Sequence, residues 1–234
     1  DKKYGFFHSQ NTFFDEVANE LGMVDSNGEY MRHPLAYLVE AADDICYTLI
    51  DFEDGINLGW ISEEYALEFL IRLVKDSIDT KKYNSLKHKT DRVAYLRALS
   101  VNTLINDTVK IFLANEEKIL NGQFTKTLLS ESVFKAQMKD IIDISVRKVY
   151  NSKEVIEKEL KGYQVIHKLL SVFIKASVNN QSDNTTALDD LVLSSLPQAY
   201  IHKDGNLYDQ LLDISCFVAS LTDGNALEWY NKIS

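Results

Sequence analysis

Apolar residues recur every three or four positions through most of this 234-residue chain, and they almost never alternate with polar ones. That is the period of helices with one buried face, not of strands. Phe13, Phe14, Val17 and Leu21 set the first stripe, and Gly22 ends it. Ser26-Asn27-Gly28 reads as a turn, and Pro34 suits the first position of the next helix. Leu35, Leu38, Ala42, Cys46 and Leu49 form the predicted apolar stripe of that helix, which the segment from Gly55 to Gly59 closes. Ser62 is the N-cap predicted for a helix through about Asp79, with Leu67, Leu70, Ile71 and Val74 inward. A polar loop follows.

A long helix then starts at Thr90 or Asp91 and runs through about Asn115. Leu96, Leu99, Thr103, Asn106 and Lys110 are spaced along it, and Val93, Leu104 and Phe112 add apolar area. Ser130 or Ser132 opens another helix to Tyr150. Ser152 caps the next, which carries Gly162 inside it or between two pieces and buries Val165, Leu169, Val172 and Phe173. Asn179 to Thr186 is polar and Asn-rich, and is expected to be a mobile loop. Leu188 to Leu196 is a short helix stopping before Pro197. Asn206 to Leu221 and Thr222 to Ile233 complete the chain as two helices. The pattern predicts about nine helices and an all-α, globular multi-helix fold.

Composition supports that class. The chain has 9 Gly and 2 Pro, too few for an all-β fold with a turn every ~8–12 residues. Its length and 45% hydrophobic content suit one large domain or two small ones. No apolar run approaches the roughly 20 residues that span a bilayer, so no membrane partner is expected. The start carries no signal-peptide pattern; beginning at Asp1, the chain reads as a fragment or a processed product. Cys46 and Cys216 lie in separate helical patterns, which fits a reducing, cytoplasmic location. A net charge of −10 argues against broad nonspecific binding to nucleic acid. Lys87, His88, Lys89, Arg92 and Arg97 are a local basic concentration, suited to phosphate or to simple solvation of a helix start.

The densest chemistry lies at residues 40–54. Asp43, Tyr47 and Asp51 are four apart and stack along one helix face, with Glu40 and Asp54 on the same side. Lys or Arg four residues after each acid would stabilise such a helix; like charge is concentrated instead. A solvated acidic face is one reading. A ligand face is the other, because a tyrosine in its midst buries large apolar area when given a partner, and a carboxylate on a rigid helix is a hard ligand for Mg²⁺ or Mn²⁺. His8, His33, His88, His167 and His202 are scattered, as surface or capping residues would be. With no HExxH or His-Asp pair, the chain on its face lacks the three or more ligands of a mononuclear site. It has no P-loop, GxGxxG or nucleophile elbow.

The run Arg32-His33-Pro34-Leu35-Ala36-Tyr37-Leu38-Val39-Glu40-Ala41-Ala42-Asp43-Asp44-Ile45-Cys46-Tyr47, followed by Asp51-Phe52-Glu53-Asp54, closely resembles the signature of the dGTPase-type deoxynucleoside triphosphate triphosphohydrolases. These belong to the HD metal-dependent phosphohydrolase superfamily. Further blocks are similar: Lys2-Lys3-Tyr4-Gly5-Phe6-Phe7; Arg97-Ala98 with Val101 to Ile105; Gly162-Tyr163 with Leu169-Leu170 and Phe173; and Asp213-Ile214-Ser215 with Leu221-Thr222-Asp223 and Ala226-Leu227. The resemblance implies an HD-like all-α fold, incomplete on its N-terminal side, with 1–115 the C-terminal part of the catalytic core and 116–234 a C-terminal helical region.

It also implies a reaction in which a dNTP, dGTP above all, is cut to deoxynucleoside and tripolyphosphate with Mg²⁺ or Mn²⁺. Asp43 then matches a metal ligand, Tyr47 packs on the deoxyribose, Asp51 accepts from the 3′-hydroxyl, and Arg97 contacts phosphate. The family's first His and its His-Asp pair have no counterpart in this chain, so the chain alone is expected to have little or no activity. The resemblance further implies a homo-oligomer, with dNTP or single-stranded DNA as effectors. Two other readings are a noncatalytic helical interaction module and an HD-type phosphohydrolase of another nucleotide.

Overall fold

A computed structural model describes residues 5–200 and 206–233. Among these the regular structure is helical, and the only β feature is an isolated antiparallel bridge between Val24 and Tyr30, flanking the predicted turn. The helices are α1 (Asn11–Glu20), α2 (Pro34–Asn57), α3 (Glu63–Val74), α4 (Thr80–Ser85), α5 (Lys89–Ala114), α6 (Glu116–Leu120), α7 (Lys135–Ser145), α8 (Lys153–Gln181), α9 (Ala187–Ser194), α10 (Leu207–Ser220) and α11 (Asp223–Ile233). The predicted all-α class holds. Lys2, Lys3, Tyr4 and His202 lie outside the described residues.

Two compact units divide between Ser152 and Lys153. The sequence expectation put the boundary at 115/116. Residues 116–152 belong with the first unit because α7 packs on both α2 and α3. In that unit, α2, α3, α5 and α7 share one core: Ile45, Leu49, Phe52 and Ile56 meet Leu70 and Val74, Val93, Leu96 and Leu104, and Ile141 and Ile144. Tyr37, Ala41, Ile119, Phe124 and Leu128 form a satellite cluster at the start of α2. In the second unit α8 is the central helix, packed on by α9, α10 and α11. There Phe173 is fully buried, edge-on to both Phe217 and Trp229.

α2 has the start its sequence predicts. His33 Nδ1 accepts from Leu35 N at 3.2 Å, and Pro34 occupies the first turn. Its buried face differs from the predicted one. Tyr37, Ala41, Ile45, Leu49, Phe52 and Ile56 point inward, whereas Leu35, Ala42 and Cys46 are exposed. The helix carries two apolar stripes at the same period, and period alone does not choose between them. The bulkier one, with aromatic residues, is inside.

α4 replaces part of the predicted polar loop. Asp79 caps it, accepting from Lys81 N at 2.9 Å and Lys82 N at 3.1 Å. A six-residue helix without an apolar stripe leaves periodicity nothing to read. Within the segment expected to be a mobile loop, α8 continues to Gln181, Asp183 takes φ 55°, and Thr186 caps α9.

Candidate functional site

α2 presents Asp43, Tyr47 and Asp51 on successive turns beside the face that enters the core. Asp43 and Tyr47 are exposed and Asp51 is half-buried. Asp43 makes no side-chain hydrogen bond or ion pair among the described residues, whereas Asp51 is held. The Tyr150 hydroxyl donates to Asp51 Oδ2 at 2.6 Å, and the rings of Tyr150 and Tyr47 stack with centroids 5.9 Å apart at 25°. Burial, reinforced by the Asp51 carboxylate and then the Tyr47 hydroxyl, raises the Tyr150 phenol far above the ordinary tyrosine range. The phenol donates to Oδ2 of Asp51, which leaves Oδ1 for a second donor.

Tyr150 escapes sequence reasoning. It lies 99 residues from Asp51, and no helical spacing joins them. The structural cause is the end of α7, where residues 146–150 form a single π turn. Val149 of that turn packs against α2 at Gly55. A Cβ there would sit 2.6 Å from Val149 Cγ2 and 2.9 Å from Ile61 Cδ1, so a side chain at 55 would force Val149 and Ile61 to shift.

The like charge of residues 40–54 is relieved from outside the helix. Arg32 pairs with Glu40 at 2.5 Å, also donates to Ala36 O at 3.0 Å, and lies 4.1 Å from the Tyr37 ring centroid. The Tyr37 hydroxyl in turn donates to Phe124 O at 2.5 Å. Arg97 of α5 places Nε 2.6 Å from Glu53 Oε2. That contact is an ion pair without hydrogen-bond alignment, since Nε finds no hydrogen-bond partner. Arg97 thus lies beside α2 with its charge balanced by Glu53. Of the basic concentration before it, Arg92 is used structurally: it donates to Leu86 O and Lys87 O and pairs with Glu63 at 3.0 Å.

The described residues do not by themselves fit a metal ion. No group of three or more His, Cys, Asp or Glu side chains among them could hold one, and Asp43 contributes a single carboxylate. His33 is committed to capping α2. No helix of the described residues is long and apolar enough to cross a membrane.

No protein-family model matches the chain. It is 30% identical over 235 residues, 99% of its length, to a "deoxyguanosinetriphosphate triphosphohydrolase-like protein" of Synechocystis sp., of which it covers 52%. A protein of the same description from Listeria monocytogenes is 28% identical over 257 residues, covering 100% of this chain and 54% of the relative. A "deoxyguanosinetriphosphate triphosphohydrolase" of Serratia proteamaculans is 30% identical over 188 residues, 74% of this chain and 36% of the relative. The chain spans about half the length of the first two of these curated relatives, 52% and 54%.

Proposed function

From a chain homologous over nearly its whole length to proteins named for dGTP triphosphohydrolysis, we propose that it is one part of a metal-dependent dNTP triphosphohydrolase. In this reading α2 is the sugar-facing helix. Tyr47 supplies a ring for the deoxyribose, Asp51 accepts a hydrogen bond from its 3′-hydroxyl, and Asp43 gives one carboxylate to a metal whose other ligands come from outside this chain. Arg97 swings from Glu53 toward phosphate when substrate arrives.

The observation that supports this best is the Tyr47–Tyr150–Asp51 cluster. A helix face with merely solvated acids has no use for a half-buried carboxylate held by a tyrosine hydroxyl from a distant segment. Such a cluster offers an aromatic wall and a directed acceptor side by side, which suits a sugar edge.

The test is release of tripolyphosphate and deoxyguanosine from dGTP with Mn²⁺. The complete protein is expected to turn over, its Asp43→Asn variant to fall to background, and the isolated 234-residue chain to show little or no turnover. Undiminished hydrolysis by Asp43→Asn, or robust turnover by the chain alone, overturns the reading. A second reading is a noncatalytic helical module on the same scaffold. That one predicts no dNTP binding by the complete protein.

A further inference from the structure

α7 does not end as an ordinary helix. Its last turn widens, and Asn151 N bonds to Val146 O, five residues back, at 3.1 Å. The Asn151 side chain adds a second donor to the same oxygen, Nδ2 to Val146 O at 2.7 Å. Within a widened turn each residue advances less around the axis than the roughly 100° of an α-helix, which shifts the phase of the turn's last residues. In the resulting phase two consecutive residues dock on consecutive turns of α2: Val149 sits against Gly55, and Tyr150 meets Asp51 and Tyr47.

We propose that Asn151 and Gly55 are positioning residues for the sugar cluster: Asn151 locks the widened turn by its double hold on Val146 O, and Gly55 provides the notch that seats it. Together they aim the Tyr150 hydroxyl at Asp51. Asn151 makes no hydrogen bond to the three cluster side chains; it acts through the backbone of the turn. Gly55 acts by lacking a Cβ at a contact that leaves no room for one. The consequence for a substrate, that Asp51 keeps one oxygen oriented for a sugar hydroxyl, rests on the function proposed above.

Two arms of one experiment keep the positioning and the function apart. The first uses the 234-residue chain without nucleotide and follows the ¹³Cζ resonance of Tyr150, assigned with Tyr150→Phe, through a pH titration. In the wild type the phenol is expected to stay protonated well beyond the ordinary tyrosine midpoint of about 10. In Asn151→Ala and Asn151→Leu, which remove the amide donor from an exposed position, it is expected to titrate at lower pH than in the wild type. Gly55→Ala is expected to act in the same direction, with its melting temperature measured alongside. An unchanged Tyr150 titration in both Asn151 variants overturns the proposal, whatever the protein does with nucleotides. The second arm compares dGTP with 2′,3′-dideoxyguanosine triphosphate in the complete protein. Asn151→Ala is expected to shrink the preference for the 3′-hydroxyl through KM more than kcat. A wild type indifferent to the 3′-hydroxyl overturns the sugar reading and leaves the first arm to decide the positioning.

Discussion

Replacing Glu40 by glutamine tests how the first turns of α2 are held. The Glu40 and Arg32 side chains are 8% and 12% exposed and their charged atoms are 2.5 Å apart. Glutamine keeps the shape and an acceptor oxygen but removes the charge, leaving the Arg32 charge with only neutral partners, among them the Ala36 carbonyl and the face of Tyr37. Breaking a buried pair from one side costs about 3–5 kcal/mol, because the other charge stays desolvated. The residual exposure and the two remaining contacts put this case at the lower end, near about 3 kcal/mol. For a chain of this size that lowers the melting temperature by roughly 6–12 °C. Urea denaturation of the wild type, Glu40→Gln, Arg32→Met and the double variant reads the coupling directly. The double variant is expected to be more stable than the sum of the single losses by over about 1 kcal/mol. A Glu40→Gln loss under about 1 kcal/mol, or additivity within about 0.5 kcal/mol, refutes the claim that the pair is coupled and buried.

Three further outcomes are expected. Phe173→Ala empties the fully buried aromatic centre of the second unit and should cost about 3–5 kcal/mol in chemical denaturation. Asp189 accepts from Asn179 Nδ2, Thr186 N and Thr186 Oγ1, which holds its carboxyl below the usual carboxylate range. Its contribution is therefore full above the unfolded value of about 3.9 and is lost as pH falls through the lower folded value. Acid titration of stability should be flatter over that window in Asp189→Asn than in wild type. Tyr47→Ala in the complete protein should relax discrimination between dGTP and GTP, measured as the ratio of their kcat/KM values; an unchanged ratio removes Tyr47 from the sugar role.

Helix boundaries were legible where caps and breakers are strong. Pro34, Asn206 and the glycine at 22 act as their residue types suggest, whereas Thr186, read as loop, caps α9. The choice between the two stripes of α2 was not legible, because Leu35, Ala42 and Cys46 share the period of the buried set. Short polar α4 carries no periodic signal at all. The alignment of Asp43, Tyr47 and Asp51 followed from spacing alone, since four residues is nearly one turn. What completes it did not. Tyr150 reaches the site through tertiary packing and a widened turn, and the cations facing Glu40 and Glu53 come from beyond the helix.

The two sides of α2 divide its liabilities. The inward side anchors the first unit, so Phe52 or Ile56 cannot change without a loss of stability. Asp43 and Tyr47, on the open side, support almost none of that packing. Substitutions there can alter what the helix recognises at little cost to folding. A lineage carrying this helix can therefore change or abandon its chemistry while the protein remains abundant and folded. An intact melting curve accordingly says nothing about whether the site still works.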